Sequence, residues 1–253
     1  MAVSIDKVYQ KVLALANKEQ RGYITPQEFN LFADHAQMDI FDQYFYDLDR
    51  PAKSLPSQTD YTDKAKNLNE KISLFEVYQE QVSATGSTGD VILANMNIYR
   101  LGAVSVSYSN NHAAFLNGSS GKAIATQLSL SEVEKYDTPL TSWKSLGGPF
   151  FMMYHMGSSA MRIKVLPFPV PGDSVYVSYI KKPASPNWTY NIVGTDALYN
   201  PDPTKGFKDF ELHHSEENNL VIKILQLAGI SIKDPQLAGI AAQEDMINKQ
   251  EKQ

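Results

Sequence analysis

Residues 25–48 read TPQEFNLFADHAQMDIFDQYFYDL, and the reading of this stretch decides how the rest of the chain has to be arranged. It carries its own start signals. Thr25 suits an N-cap, Pro26 suits the first helical position, and Glu28 stands where a capping box needs a carboxylate. Pro51 is the stop signal. Between them lies a helix of roughly six turns. On a helical wheel, Phe29, Phe32, Ala33, Ala36, Ile40 and Tyr44 form one apolar stripe. Leu31, Met38, Phe41, Phe45 and Leu48 form a second, on nearly the opposite side, with Gln37, Asp39, Asp42 and Gln43 between them. A surface helix of a monomer needs one stripe. Two predict a helix covered on two sides. Either it runs through the middle of its own domain, or it gives one side to another chain.

Upstream, residues 4–16 predict a short amphipathic helix. Ile5, Val8, Tyr9, Val12, Leu15 and Ala16 share a face, and Ser4 is the candidate cap. The nearest surface for it is the long helix, which predicts a helical hairpin. Downstream, residues 48–67 are polar, broken by Pro51 and Pro56, and read as a loop. The spacing of Asp47, Asp49, Asp60 and Asp63 does not match a calcium loop.

From Leu68 the period changes from helical to alternating. Residues 72–82 and 91–99 flank the Gly-rich turn at 86–89 and predict a hairpin. Val104, Val106 and Tyr108 alternate with Ser105, Ser107 and Ser109. Residues 117–121 read as a further turn and residues 131–136 as a short helix. Residues 150–156, apolar except for His155, predict a strand buried on both faces. Met161, Ile163 and Val165 mark another strand, and Val175, Val177 and Tyr179 the last one before Pro183 and Pro186. Helices then return. Ser215 is the expected cap of a helix over 216–228 closed by Gly229, and Asp234-Pro235 opens a final helix with a thin stripe of Leu237, Ile240 and Ile247. That last helix is either a frayed end or a segment that orders on a partner.

The expected fold class is therefore α+β: N- and C-terminal helices form a helical part that brackets a central antiparallel β-rich region. The expected divisions are 1–67, a helical hairpin and loop; 68–183, the β-rich region; and 184–253, a loop and helices forming one connected unit with 1–67.

The chain has 253 residues, long enough for a sizeable core. It lacks cysteine, which removes disulfides, thiolate metal sites and cysteine nucleophiles. The first residues lack the basic and apolar regions of a signal peptide, and no apolar run approaches about 18 residues, so synthesis in a cytoplasm and no membrane span are expected. A net charge of −5 without a dense Lys/Arg cluster argues against gripping nucleic acid. Fourteen Tyr and eleven Phe tilt the reading toward assembly, since aromatic residues are favoured at interfaces.

The search for chemistry is short. Ser119-Ser120-Gly121-Lys122 and Ser178-Tyr179-Ile180-Lys181 fit the loose Ser-x-x-Lys pattern, without its companion motifs. The first also resembles the end of a phosphate-binding loop but lacks the earlier Gly, and Ala123 stands where the magnesium ligand belongs. His35, His112, His155, His213 and His214 show no chelating spacing, and the adjacent pair His213-His214 reads as a surface or capping feature. No catalytic, cofactor-binding or metal-binding residue is assigned. Asn117-Gly118-Ser119 and Asn187-Trp188-Thr189 match the glycosylation pattern, which means little without a secretory signal.

Three sets of residues carry a resemblance. They are 24–30 with 41–48, VYVSYIKKP at 175–183 before Pro186-Asn187-Trp188, and DFELH at 209–213 leading into LVIKIL at 220–225 and GISI at 229–232. These resemble virion structural proteins of tailed bacteriophages, especially crAss-like phages. The layout is similar to the tail tubular, or gatekeeper, subunits of short-tailed phages. The resemblance implies a non-enzymatic subunit of a homo-oligomeric ring, commonly of twelve copies, located in the head-to-tail connector or tail of the virion. Such a ring contacts the portal or other tail proteins, docks fibres, and lets DNA pass without specific binding. On that reading the subunit interface would use Leu31, Met38, Phe41, Phe45 and Leu48, with Leu237, Ile240 and Ile247 on a docking arm. The expectations from other classes are a polysaccharide-acting hydrolase with its site in the β region, and a soluble binding module whose C-terminal helix folds on a partner.

Overall fold

A computed structural model describes residues 2–18, 24–49, 58–85, 90–93, 96–108, 122–136, 148–155, 161–169, 173–194 and 196–231. The fold is α+β. The chain divides into two compact units, one formed by Met1–Leu74 together with Pro183–Gln253, the other by Phe75–Lys182. The boundary lies at 75 and not at 68 because a helix occupies residues that read as loop and strand.

The first unit holds strand β1 (Ala2–Val3), helices α1 (Ile5–Lys18), α2 (Pro26–Asp49) and α3 (Gln58–Ser73), and later strands β10 (Tyr190–Val193), β11 (Asp196–Tyr199) and β12 (Phe210–His213), ending with helix α5 (Glu217–Ser231). The capping box of α2 forms as expected: Thr25 N–H and Oγ1–H both donate to Glu28 Oε2, at 3.0 and 2.8 Å, and Glu28 N–H donates back to Thr25 Oγ1 at 3.3 Å. Pro51 lies outside the described residues. The cap of α1 is a long-range one, with Asp209 Oδ1 accepting from the N–H of Ile5 at 2.9 Å. Both α1 and α2 pack on α5, and they meet each other through Tyr9 and Phe29, whose rings are 4.7 Å apart. The expected α1–α2 hairpin is thus a three-helix arrangement completed from the far end of the sequence.

Helix α2 has one buried stripe, not two. Phe29, Ala33, Ala36, Gln37, Ile40, Phe41 and Tyr44 are buried, a single face running at helical spacing. Phe41 belongs to it, and so does a glutamine. The two-stripe pattern arose because polar Gln37 disguises the centre of the real face.

Two further corrections fall in this unit. Helix α3 replaces the expected loop over its residues. Helix α5 is entered through a 3-10 turn, His214–Glu216, whose cap is His213 and not Ser215: the His213 side chain accepts from the Ser215 N–H. The helix also runs past Gly229, which is buried inside it, to Ser231. A closing glycine is only a permissive signal, and here the helix continues through it. Residues 234–253 lie outside the described residues.

The second unit is built on a sheet in the order β2-β9-β5-β6-β7-β8-β4-β3. Its strands are β2 (Glu76–Val82), β3 (Ala84–Thr85), β4 (Asp90–Ile92), β5 (Ile98–Ser107), β6 (Lys122–Gln127), β7 (Phe150–His155), β8 (Met161–Leu166) and β9 (Ser174–Lys181). The pairs are antiparallel except β6–β7. Val91, Val104, Val106, Phe151, Ile163 and Val177 share one core, so strands from both ends of the sheet converge on one interior and the sheet wraps around it. A smaller core of Val133, Phe150, Met152 and Leu166 lies under helix α4 (Leu130–Tyr136). At the start of that helix, the short helix expected at 131–136, Ser129 N–H and Oγ–H both donate to Glu132 Oε2, at 2.8 and 2.6 Å, and the Glu132 N–H donates to the Ser129 carbonyl at 3.1 Å.

The expected hairpin around residues 86–89 shrinks to β3–β4, while β2 pairs with β9 instead. Strand β7 is buried on both faces only from Phe150 to Met152; Met153 and His155 are exposed. Strand β9 is not the last, since β10, β11 and β12 follow. Strand β9 is flanked by bulges on both neighbours, in β2 between Val77 and Glu80 and in β5 between Leu101 and Val104.

Candidate functional site

Trp188 organises the surface of the helical unit. It follows Pro183 and Pro186, which keep the segment extended, and its side chain is fully buried. Its backbone is held as a strand partner would hold it, but by a helix side chain. Asn30 Oδ1 accepts the Trp188 N–H at 2.8 Å, and Asn30 Nδ2 donates to the Trp188 carbonyl at 3.1 Å and to Asn187 Oδ1 at 2.9 Å. The indole N–H donates to Asp6 Oδ1 at 3.1 Å, and the indole lies 4.3 Å from the Tyr9 ring.

A hairpin grows from this base. Tyr190 and Tyr199, directly paired across β10 and β11, both stack on the Trp188 ring, with centroids at 5.7 and 5.8 Å. Val193 pairs with Asp196, leaving a two-residue turn that begins at Gly194 with φ of +68°, a conformation that glycine adopts without strain. Thr204 donates to Asp202, and Lys205, from the adjoining 3-10 turn Pro203–Lys205, donates to Asn191.

Beyond this root the hairpin turns apolar and faces solvent. Ile192 is 73 % exposed, Val193 60 % and Leu198 53 %. Ile192 points to one face of the ribbon, Val193 and Leu198 to the other. Surface aliphatic residues scattered singly are ordinary; here Val193 and Leu198 share one face of a braced ribbon, with Asp196 opposite Val193, and Ile192 stands on the other. The second surface feature of this unit is a groove of about 530 Å³ between α1 and α5, lined by Lys11, Ala14, Leu15, Asn218, Val221 and Ile222. Lys11 on its rim is paired with Glu217 at 2.6 Å.

The expected interface residues do not form one patch. Leu31 is 72 % exposed at the start of α2 and Leu48 is exposed near its end, whereas Met38 and Phe45 are half-buried. Phe41 lies wholly inside the chain's own core, with Phe45 edge-on to it at 5.0 Å, so its assignment to a neighbour's surface is corrected. Leu237, Ile240 and Ile247 lie outside the described residues. The hairpin and Trp188 were missed. The signal was present in Tyr190-Asn191-Ile192-Val193-Gly194, a β-prone run ending at a turn glycine.

Chemistry-bearing motifs resolve into structure. Ser178 Oγ accepts the N–H of Gln79 at 3.1 Å inside the β2 bulge. Lys122 sits over the Tyr176 ring, 3.8 Å from its centroid, and donates to Gln79 Oε1. Residues 119–121 lie outside the described residues. Asn187 is engaged by Asn30 and donates to the Gly206 carbonyl. His213 and His214 have ring centroids 4.0 Å apart, and His213 Nδ1 accepts from the Ser215 N–H. Burial, then His214, holds the His213 imidazole below its ordinary pKa. Glu216 is buried and ion-paired to Lys71, and burial followed by Glu216 pushes the Tyr44 phenol up. Among the described residues, no three His, Asp or Glu side chains gather closely enough to hold a metal, and no helix is long and apolar enough to cross a membrane.

No protein-family model matches the chain, and no curated protein matches it.

Proposed function

We propose that this chain is a structural subunit of a bacteriophage virion, assembled as a ring in the head-to-tail connector or tail, where it binds neighbouring rings or fibres and lets DNA pass. One observation carries the part of this reading that concerns assembly. An aliphatic hairpin tip faces solvent, yet its root is braced by a fully buried tryptophan, two stacked tyrosines and an asparagine clamp. A solvent-facing apolar tip on a rigid base is what a docking element needs, because little conformational freedom remains to be lost on binding. The resemblance at both ends and in the 175–188 stretch supports the virion context. The acidic balance agrees with a channel wall that does not hold DNA.

The test is direct. Purified particles of the phage encoding this chain should contain it in stoichiometric amounts by mass spectrometry, and imaging at subunit resolution should place it in a ring. Its absence from particles would falsify the proposal.

A further inference from the structure

We infer that His213 is a proton-operated catch on helix α3: a proton on His213 opens the turn that positions Glu216, and so loosens the Lys71–Glu216 ion pair that fastens α3 to its own unit. Helix α3 has little else to hold it. Among residues 66–73, whose surroundings are described, Ile72 alone is buried, Leu68 and Lys71 are half-buried, and the rest face solvent. Lys71 is the polar anchor. Its ammonium lies 2.5 Å from Glu216 Oε1 and 5.7 Å from the centre of the Tyr44 ring. Glu216 is only 2 % exposed, and its Oε2 accepts from Asn219 Nδ2 at 2.5 Å. A carboxylate held inside the protein in this way depends on the cation beside it.

Glu216 ends the 3-10 turn His214–Glu216, and His213 caps that turn. The cap is of a kind that a proton abolishes. A backbone N–H can only donate, so the His213 Nδ1 that accepts from the Ser215 N–H at 3.3 Å carries no hydrogen. Protonation fills that position. It also sets a charge beside the His214 ring, 4.0 Å away, and within the field of Lys71 and the N-terminal ammonium, with Glu70 as the opposing charge. The other charges at this corner are engaged: Glu217 with Lys11, and Glu216 with Lys71. The Tyr44 phenol stays neutral, pushed up by burial and then by Glu216. The proton therefore favours the open turn. The lowered pKa of His213 in the folded chain has the same sign, so the catch is closed above pH 6.5 and opens as pH falls below it.

Hydrogen exchange of the full chain, read by mass spectrometry and corrected for the pH dependence of intrinsic exchange, tests the catch. Between about pH 7.5 and about pH 5.0, protection over residues 66–73 should fall at least about threefold, while protection of α2 changes less. His213→Asn keeps a cap acceptor and takes no proton, so it should hold α3 at both pH values. Lys71→Ala should strip α3 of protection already at about pH 7.5 and leave α2 protected. Four results overturn the inference: protection over 66–73 that acid leaves unchanged; an equal loss in α2 and α3, which is general acid unfolding; acid release that persists in His213→Asn, which puts the proton elsewhere; and a Lys71→Ala protein with α3 still protected at the higher pH. If Lys71→Ala does not fold, the comparison of the parent with His213→Asn decides alone.

Discussion

The carboxamide of Gln37 donates from Nε2 to the carbonyl oxygen of Ala184 at 2.8 Å, while its Oε1 accepts the N–H of Glu211 at 3.0 Å. Glu211 Oε2 in turn accepts the N–H of Ala184 at 3.2 Å. A helix side chain thereby supplies the hydrogen bonds that a neighbouring strand would give to two extended segments. Asn30 does the same for Trp188 two turns earlier on α2. The long helix is therefore held to the C-terminal half of its unit by amides as well as by apolar contact.

Replacing Gln37 tests this. Gln37→Leu keeps roughly the size and improves the apolar stripe, so an apolar account expects no loss. The structure predicts a loss of about 1–3 kcal/mol, because a half-buried carbonyl and a half-buried N–H lose their partners. Urea unfolding of the two proteins decides, and equal midpoints would show that the amide is dispensable.

Leu31 and Phe41 come from the same stripe of the sequence reading but stand in opposite environments. Phe41→Asp places a charge in the core and should prevent soluble folding, since an unpaired buried charge costs several kcal/mol. Leu31→Asp should stay folded, within about 0.5 kcal/mol of the parent. Circular dichroism and thermal melts separate them. A folded, monomeric Phe41→Asp protein would restore Phe41 to an interface.

Gly102 sits in the β5 bulge against β9. A Cβ added there would come within 2.9 Å of the Ser178 backbone oxygen, which cannot swing aside as a side chain could. Gly102→Ala should destabilise the β unit by about 1–3 kcal/mol. Ala103→Ser, on the exposed side of the same bulge, is the control and should be nearly neutral.

His213 predicts a pH response with a definite sign. Folding lowers its pKa from the ordinary value of 6.5, through burial first, then the His214, Lys71 and N-terminal charges, with Glu70 opposing. The folded state therefore binds the proton less well than the unfolded one. Its contribution is fully present above pH 6.5 and is lost as pH falls below that value toward the lowered one. His213→Asn keeps a cap acceptor without titrating. Its melting temperature should change less than the parent's between about pH 7.5 and pH 5.5. Parallel curves would rule out His213 as the source. Glu28, Asp202 and Glu217 have lowered carboxyl pKa values, so their contributions are present at and above the ordinary carboxylate range and fade only in more acid solution.

Local signals were sufficient where the deciding interactions are local. Thr25-Pro26 and Glu28 start α2 because the capping partners are three residues apart. The alternation of Val104, Val106 and Tyr108 places a strand face in the core because a strand's two faces follow from the chain itself. The α+β class follows from the same two periodicities. The tertiary structure decided which polar residue belongs inside, and where the apolar surface is left uncovered. Gln37 reads as solvent-facing because its partners, Ala184 and Glu211, lie more than a hundred residues away and become acceptor and donor only after folding. Ile192, Val193 and Leu198 fall in the stretch from 184 that reads as loop ahead of the C-terminal helices, since nothing local shows that a short ribbon there is braced at its root. Only the stacking of Tyr190 and Tyr199 on Trp188, which fills the root and leaves the tip outside, makes them face solvent.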